Sequence, residues 1–489
     1  MRLASRHSLS TRPLALVSAL GLLTLACGSS SDHAAKAPAA PADGASPPSS
    51  TPSTPEQGTP PPPGATAAGD HGAPSDTYPA FTPSMPQVIN NGGDVLKSPT
   101  IVTVTFKGET DAAALETFGD MIGASSYWKQ VATEYGVGAA TSGAKNHVRL
   151  KTTMTLPAKV SDADIAAFVG ARIKDKTFPA NAPGTIYALY LPRGTAITDV
   201  FGDECPGDVG GTGGYHSSAK IDGANVVYAV MAQCEGSTLD DNTVTASHEF
   251  GEASVDPYVG DDDTLAWVGL RDTSDFAWDY FMGYQDETAD MCEFEPDQYD
   301  YEHDDLPFLV QRQWSNAAAA AGKSPCVPAP PGAFFQLALL EPLDTLIGTF
   351  PDEDGAPADT PLGGIRVDVG SSRTVAFGFN SDRPSAPWSV GAKEIEINEE
   401  DGSILDVPEA DRSLALTFDK DSGRNGEKTY LKIDFLKDTA VKAHLVVIES
   451  KLGDAVHQLP IFVGATPAPA LRAAAPRVFG ARRPAHAPR

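Results

Sequence analysis

The chain reads Asp241-Asn242-Thr243-Val244-Thr245-Ala246-Ser247-His248-Glu249-Phe250-Gly251-Glu252-Ala253-Ser254-Val255-Asp256-Pro257 from residue 241 to residue 257. This stretch predicts a helix from about Asn242 to Val255. Pro257 ends it, because proline lacks the N–H that a helix needs. His248 and Glu252 are four positions apart and therefore share one helical face. An imidazole nitrogen and a carboxylate placed in this way can bind the same metal ion.

Glu249 lies about 100° around the helix from His248. In His-Glu-x-x-His peptidases the glutamate at this position is the general base for a metal-bound water. Here Glu252 replaces the second histidine, so the site is richer in oxygen than a two-histidine zinc site. We expect Zn²⁺, with Mn²⁺ and Ca²⁺ as alternatives that tolerate more oxygen ligands.

Two further segments contain side chains that suit such a site. Glu287-Thr288-Ala289-Asp290-Met291-Cys292 follows the helix and offers Glu287 or Asp290 as a third ligand. Gly213-Gly214-Tyr215-His216-Ser217 is predicted to be a glycine-rich loop. His216 is there either a ligand or a catalytic group that stabilises charge on a substrate.

Each of these residues also has an ordinary structural interpretation. A His-Glu-x-x-Glu pattern occurs by chance on surface helices, where its carboxylates face water. Asp290 could cap a helix, and His216 could be a hydrogen-bonded histidine in a turn. The pattern alone does not separate these interpretations from a metal site.

Five cysteines occur in the chain. Cys27 belongs to the N-terminal signal described below, which leaves four in the rest of an exported protein, where disulfides are expected. Three pairings are possible. Sequence order favours Cys205–Cys234 and Cys292–Cys326, because each pair then closes a local loop.

The regions around the helix predict two folded domains. Between residues 81 and 330, β-branched strands such as Ile101–Phe106 and Thr185–Leu191 alternate with helices, which indicates an α/β or α+β domain. Between residues 331 and 465, short strand-like runs separated by turn residues indicate a β-sandwich. Residues 466–489 are rich in Ala, Pro and Arg and are predicted to be a disordered tail.

The N-terminus has the features of a bacterial secretion signal. Basic residues precede an apolar run that ends in Leu23-Thr24-Leu25-Ala26-Cys27-Gly28, which resembles a lipobox. We therefore expect residues 1–27 to be a lipoprotein signal, with Cys27 lipidated and the protein exported and anchored to the cell envelope, most simply the outer membrane. Thr24 departs from the usual leucine and leaves a fully secreted product as the alternative. Residues 28–80, rich in Pro, Ala and Ser, are expected to form a disordered tether.

The formal net charge of −28 limits the classes of partner. Nucleic-acid binding needs clustered Lys and Arg, so this composition argues against it. An acidic chain of this kind fits a self-repelling soluble surface or one that binds cations.

Several of these motifs together resemble the plant phosphate-induced (exordium-like) family and its bacterial relatives. The resemblance is carried by His248, Glu249, Glu252, Asp256-Pro257, Trp267, Glu287, Asp290 and Cys292, and also by Tyr127-Trp128, Glu134-Tyr135-Gly136-Val137-Gly138, Gly214-Tyr215-His216-Ser217 and Cys234. It covers most of residues 81–328. The long acidic insert between Pro257 and Glu287 departs from the family pattern. The resemblance implies a zincin-like fold but no particular substrate, and plant members are associated with the cell wall and growth.

From these patterns we expect a metal-dependent hydrolase, most simply a peptidase. His248, Glu252 and one of Glu287 or Asp290 would hold the metal, and Glu249 would be the general base. One alternative is a non-catalytic surface module that keeps a structural metal and binds a wall or matrix polymer. The other is a purely structural envelope lipoprotein with an acidic, empty pocket.

Overall fold

The computed structural model describes residues 69–83, 85–151, 159–199, 202–204, 213–234, 236–259, 264–270, 274–283, 286–293, 297–300, 303–351, 357–397, 404–437 and 441–466. The predicted signal peptide with Cys27, the predicted tether up to residue 68, Cys205 and the predicted tail beyond residue 466 lie outside this set. Among the described residues, no helix combines the length and apolarity needed to cross a bilayer.

The first half of the described chain mixes strands and helices. In chain order these are β1 (Val88–Asn90), β2 (Thr100–Thr105), α1 (Ala112–Ile122), α2 (Ser126–Ala132), β3 (His147–Arg149), β4 (Lys159–Ser161), α3 (Asp162–Lys174), β5 (Thr185–Tyr190), β6 (Ala196–Asp199), β7 (Gly202–Glu204), β8 (Gly214–Ile221), β9 (Ala224–Met231), α4 (Leu239–Val255), β10 (Trp267–Leu270), α5 (Phe276–Phe281), β11 (Tyr299–Asp300), β12 (Val310–Gln311), β13 (Gln313–Trp314), α6 (Asn316–Ala320) and β14 (Cys326–Val327). Short 3₁₀ helices occur at Thr133–Tyr135, Ala144–Asn146 and Asp290–Cys292.

A five-stranded sheet in the order β3-β2-β5-β9-β8 organises this half. Its neighbours pair in parallel, except β8, which runs antiparallel to β9 at one edge. All six residues of β5 are buried, as expected for a strand that is covered on both faces. Ile186 and Tyr190 enter the core that contains Phe250 of α4, whereas Tyr187 enters the core on the α3 side. The sheet therefore lies between two helical layers.

Helix α4 carries the motif and is itself almost entirely buried. Thr238 caps it, in a reciprocal pair of hydrogen bonds with Asp241 that begins the helix three residues before the predicted start. Gly251 leaves space for the side-chain amide of Gln313, since a Cβ at Gly251 would lie 2.1 Å from Gln313 Nε2. The helix is held in the core rather than on the surface.

The second half of the described chain is β-structure, here called the two-sheet region (residues 335–464). Its strands are β15 (Phe335–Leu339), β16 (Asp344–Pro351), β17 (Pro357–Arg366), β18 (Ser372–Ser381), β19 (Trp388–Ile397), β20 (Ile404–Asp406), β21 (Leu414–Phe418), β22 (Ser422–Gly423), β23 (Lys428–Phe435), β24 (Ala443–Leu452) and β25 (Ala455–Gly464). One sheet has the order β15-β18-β23-β21. The other has the order β16-β17-β25-β24-β19-β20, with β22 also on β19. Side chains of both sheets, such as Phe377 of β18 and Ile448 of β24, share one core.

The two predicted domains share a further core. Phe276 of α5 lies with its ring centroid 4.9 Å from that of Phe350 on β16 and 5.9 Å from that of Phe462 on β25. The same cluster includes Met291, Cys292 and Trp314. Apolar side chains therefore cross the boundary expected at residues 330/331, and the described residues belong to one compact unit.

Residues 69–80, which the composition assigns to the tether, contact the two-sheet region. The backbone N–H of Lys428 donates to the carbonyl of His71 at 2.7 Å. Asn425 Nδ2 donates to the carbonyls of Ser75 and Thr77. The low-complexity composition extends into these residues, but tertiary hydrogen bonds include them in the folded body.

One element at the site differs from the sequence-based expectation. Residues 214–221, expected as a glycine-rich loop around His216, form the edge strand β8. β8 pairs with β9 in a hairpin whose two-residue turn is Asp222-Gly223, and both turn residues have positive φ. Asp-Gly is a typical sequence for such a turn, so the turn lies after β8 and not at Gly213-Gly214.

Candidate metal centre

Three parts of the chain meet at the motif. Helix α4 contributes His248, Glu249 and Glu252, and strand β8 contributes His216. Glu287 and Asp290 come from the segment that leads into the 3₁₀ helix Asp290–Cys292. The disulfide between Cys292 and Cys326 links that segment to strand β14, and this is the pairing that sequence order favoured. Cys234 is also disulfide-bonded, while its expected partner Cys205 lies outside the described residues.

Glu252 lies at the middle of the centre. Its Oε1 accepts hydrogen bonds from the backbone N–H groups of Ala289 (2.9 Å) and Asp290 (3.2 Å). Its Oε2 lies 3.0 Å from His248 Nε2 and 3.8 Å from His216 Nδ1. The backbone contacts fix the carboxylate, so that Oε2 faces both histidines.

A glutamine orients the ring of His248. Gln311 Nε2 donates to the carbonyl of Ala289 at 2.9 Å, so its Oε1 is the acceptor that faces His248 Nδ1 at 3.1 Å. The Nδ1–H of His248 therefore donates to Gln311. Nε2 then points at Glu252 and at Asp290 Oδ1, which is 3.2 Å away. Metal-binding histidines are commonly oriented in this manner by a hydrogen bond from their second nitrogen.

His216 is oriented by a different acceptor. Its Nε2–H donates to the backbone carbonyl of Asp256 at 3.1 Å. Its Nδ1 faces Glu249, Glu252 and Glu287, each at 3.7–3.8 Å. These separations are longer than hydrogen bonds. The side chain is 3% exposed, so Nδ1 is buried among carboxylate oxygens.

The ligand-type atoms form two sets that meet at Glu252. We call His216, Glu252 and Glu287 the inner group, and His248, Asp290 and Glu293 the outer group. Within each group the candidate ligand atoms lie within 4.8 Å of one another, as they also do for His248, Glu249 and Glu252. Tetrahedral ligands at zinc bond lengths are about 3.3 Å apart. Modest side-chain movement would therefore bring either group around an ion.

Burial and crowding shift the pKa values of the carboxyl groups in different directions. Burial raises the pKa of Glu249, Glu287 and Asp290, and the neighbouring carboxylates raise the last two further. Burial also opposes ionisation of Glu252, but the charge and hydrogen bond of His248, the charge of His216 and a hydrogen bond with Glu287 together outweigh it and lower the pKa of Glu252 to about 2. Without a cation, the environment therefore favours the ionised form of Glu252 over that of its neighbours.

The two histidine pKa values are also raised. Burial lowers the pKa of each ring, but the adjacent carboxylates outweigh it and raise the pKa of His216, and that of His248 more strongly. The charged form of both rings is thus favoured while no cation is present. A bound divalent cation would replace those protons, because a histidine ligand must be neutral.

The centre is partly open to solvent. Glu252 and the side chain of His216 are 2% and 3% exposed, whereas the side chains of Asp290, Glu287 and Glu293 are 19%, 22% and 41% exposed. Gly214 brings the start of β8 against Glu249, since a Cβ there would lie 2.8 Å from Glu249 Oε1. Solvent reaches the ligands past Asp290, Glu287 and Glu293.

All six residues selected from the sequence lie in this one cluster, namely His216, His248, Glu249, Glu252, Glu287 and Asp290. Sequence reasoning missed Glu293 as a member and Gln311 as the group that orients His248. Asp256 was identified only as the end of the helix, whereas its carbonyl orients His216. Glu293 was detectable as the acidic residue after Cys292. Gln311 lies 63 residues from His248, and no local pattern connects them.

Comparison with known proteins gives little further information. No family model matches the chain, and no curated protein matches it. Among solved structures, it is similar to a family 123 glycoside hydrolase from Clostridium perfringens whose glycolipid glycan hydrolysis was analysed, at 9% identity and a TM-score of 0.16. That match covers 28% of this chain and 27% of the other. The resemblance to the exordium-like family stays a prediction.

Proposed function

We propose that this protein is a metal-dependent hydrolase, most simply a peptidase, whose cation is held by His248 and Glu252. The observation that supports this most strongly is the orientation of His248. The Nδ1–H of His248 donates to Gln311, and the Nε2 of His248 faces Glu252 at 3.0 Å and Asp290 at 3.2 Å. A nitrogen oriented in this way is suited to bind a metal ion. Zn²⁺ suits the histidine, and Mn²⁺ or Ca²⁺ suits the oxygen-rich remainder.

Glu249 is the proposed general base. It follows His248 on the helix, and its carboxylate is within 4.8 Å of the ligand atoms of His248 and Glu252. Burial raises the pKa of Glu249, which makes its carboxylate a better proton acceptor. A divalent cation would supply Lewis acidity toward a carbonyl or a water. Glu249 would accept the proton of the attacking water, and His216 lies 3.8 Å from Glu249 and could stabilise charge there.

The fold supports this proposal by the way it places the helix. The mixed sheet and the buried helix α4 set the three ligand-bearing segments around one point. We also propose that the fold is zincin-like, with the two-sheet region serving to position the enzyme or bind a partner such as a wall polymer. Export and attachment through a lipid on Cys27 belong to the same proposal, which mass spectrometry of the mature N-terminus tests.

A second candidate is a non-catalytic surface module with a structural ion. The observation that favours it is the number of ligands. Three overlapping sets of candidate ligands lie here, and the carboxylates next to any one set could complete the shell of a single ion with protein atoms alone. The sets are His216, Glu252 and Glu287; His248, Asp290 and Glu293; and His248, Glu249 and Glu252. A filled shell leaves no open position for a substrate.

The test is elemental analysis of the purified chain together with hydrolysis of generic peptide substrates. We expect wild-type protein to bind the metal and cleave, and Glu249→Gln to keep the metal and lose at least about a hundredfold in rate, the low end of general-base contributions. Glu409→Gln, which changes an exposed glutamate of the two-sheet region, is the matched control and should cleave normally. Metal binding without any cleavage favours the binding module, and no metal binding rejects both.

A further inference from the structure

We propose that the centre holds two cations rather than one. The inner group (His216, Glu252 and Glu287) binds one of them, and the outer group (His248, Asp290 and Glu293) binds the other, with Glu252 between them. This inference rests on the proposed function, because it adds a second ion to the same site. It also assigns His216 as a ligand instead of a catalytic group.

The inner ion is argued from His216. This histidine is buried, and the carbonyl of Asp256 accepts the hydrogen bond from its Nε2–H. Its Nδ1 has three carboxylates at 3.7–3.8 Å and no hydrogen bond at those distances. A buried, oriented nitrogen that faces Glu252 and Glu287 at distances longer than a hydrogen bond leaves space for an ion between these three side chains.

The outer ion is argued from His248 in the same manner. Its Nδ1–H is engaged by Gln311, its Nε2 lies 3.2 Å from Asp290 Oδ1, and Glu293 Oε1 lies 3.6 Å from the Nδ1 side of the same ring. Candidate ligand atoms of these three residues lie within 4.8 Å of one another. Asp290 and Glu293 are partly exposed, so this ion has room for a water.

One ion cannot serve both histidines. Two ligands of one ion are at most about 4.2 Å apart when each bond is about 2.1 Å. In the part of the chain that the structure describes, no group of three or more ligand atoms within 4.8 Å contains both His216 and His248. Glu252 Oε2 is near both, at 3.8 Å and 3.0 Å. Carboxylates in this position bridge paired ions, which lie about 3.5–4 Å apart in two-metal hydrolases.

Charge supports the same conclusion. Glu249, Glu252, Glu287, Asp290 and Glu293 surround the two histidines, and within the described residues these histidines are their cationic partners. Histidines that ligate a metal are neutral. If the five carboxylates are ionised, one divalent cation would leave most of their negative charge unbalanced. A second divalent cation would reduce the remaining negative charge by two more elementary charges.

The experiment is a zinc titration of the metal-free full-length protein, followed by calorimetry and elemental analysis. We expect two Zn²⁺ per chain in wild type and one in His216→Ala. His303→Ala is the matched control, because His303 is another buried histidine, paired with Asp300 outside the centre. It should bind two. Glu287→Gln provides a milder inner variant if His216→Ala does not fold, and it should weaken one Zn²⁺ at least tenfold.

A second readout uses Mn²⁺ alone. Two Mn²⁺ ions a few ångströms apart couple magnetically, so wild type should lose the six-line spectrum of an isolated ion, and His216→Ala should regain it. The two-ion proposal would be overturned if wild type bound one Zn²⁺ and His216→Ala and Glu287→Gln both bound it with unchanged affinity. That outcome would leave the proposed function standing. No Zn²⁺ in wild type overturns both.

Discussion

Each half of the described chain buries a glutamate next to a histidine. In the two-sheet region, Glu394 is 4% exposed and lies 2.8 Å from His444 Nδ1, while its Oε2 accepts from the backbone of Ser413 and Leu414. In the candidate centre, Glu252 is 2% exposed and lies 3.0 Å from His248, while its Oε1 accepts from the backbone of Ala289 and Asp290. The two glutamates are held in nearly the same way.

The charged groups around the two pairs differ. The pair of Glu394 and His444 is one carboxyl group with one imidazole, and the carboxyl group of Glu394 also has its backbone donors. Around Glu252, the buried carboxyl groups of Glu249, Glu287 and Asp290 outnumber the available histidines, and without a cation their pKa values are raised toward the neutral form. A buried Glu–His pair is therefore structural by itself, and an excess of buried carboxylates is what indicates a missing cation.

The largest expected effect is that of Glu252→Gln. Its amide can no longer serve as the shared anionic ligand, so we expect zinc content to fall from two ions per chain to less than half an ion. Elemental analysis after dialysis measures this. Glu394→Gln is the matched control in the other region and should keep the wild-type zinc content. Equal zinc content in the two variants would contradict the comparison.

Glu394→Ala should affect stability and leave the metal unaffected. The change leaves His444 and two backbone N–H groups buried without their partner. Removing one member of a buried ion pair costs about 3–5 kcal/mol of unfolding free energy. Urea denaturation of zinc-loaded protein measures the change. A loss below about 1 kcal/mol would show that the Glu394 pair is not the structural counterpart described above.

Asp279 gives a pH-dependent prediction at the junction of the two halves. This residue of α5 is 6% exposed, and burial raises its pKa to about 7. A carboxyl whose pKa is higher in the folded state stabilises that state below its unfolded pKa of about 3.9. This contribution is lost as pH rises toward 7, at about 1.4 kcal/mol for each pH unit between the two pKa values. Asp279→Asn should flatten the stability–pH curve between about pH 4 and pH 7, measured by thermal unfolding. A curve parallel to that of wild type would contradict this.

The smallest expected effect concerns the cap of α4. Thr238→Ala removes the reciprocal bonds with Asp241 and should lower the unfolding free energy by about 1 kcal/mol. Ser161→Ala removes the same type of cap from α3, which carries none of the proposed ligands. We expect similar losses of unfolding free energy from Thr238→Ala and Ser161→Ala. Only Thr238→Ala should weaken zinc binding, by less than tenfold in a calorimetric titration. Equal zinc affinities would mean that the cap does not influence the centre.

The sequence was most informative where contacts are local. Strands β2 and β5 of the central sheet and helix α4 lie close to their expected positions, whereas β8 of the same sheet was expected to be a loop. The strands Asp344–Pro351 and Ala455–Gly464 were not predicted, because turn-like residues such as Gly348 and Pro460 interrupt their pattern. The sequence also did not predict the shared core of Phe276, Phe350 and Phe462, because each phenylalanine looks like an ordinary core residue of its own segment.

The sequence by itself determined the helix that places His248 and Glu252 on one face, because helical spacing follows from the chain alone. It also favoured, among three possible pairings, the local loop closed by Cys292 and Cys326. Only the tertiary structure brought His216 to the same point, by packing the β8–β9 hairpin against α4, and only it oriented the two rings through Gln311 and the carbonyl of Asp256. These contacts join residues 40 and 63 positions apart. Which nitrogen of a histidine faces a carboxylate depends on such distant acceptors, and no periodicity in the sequence specifies them.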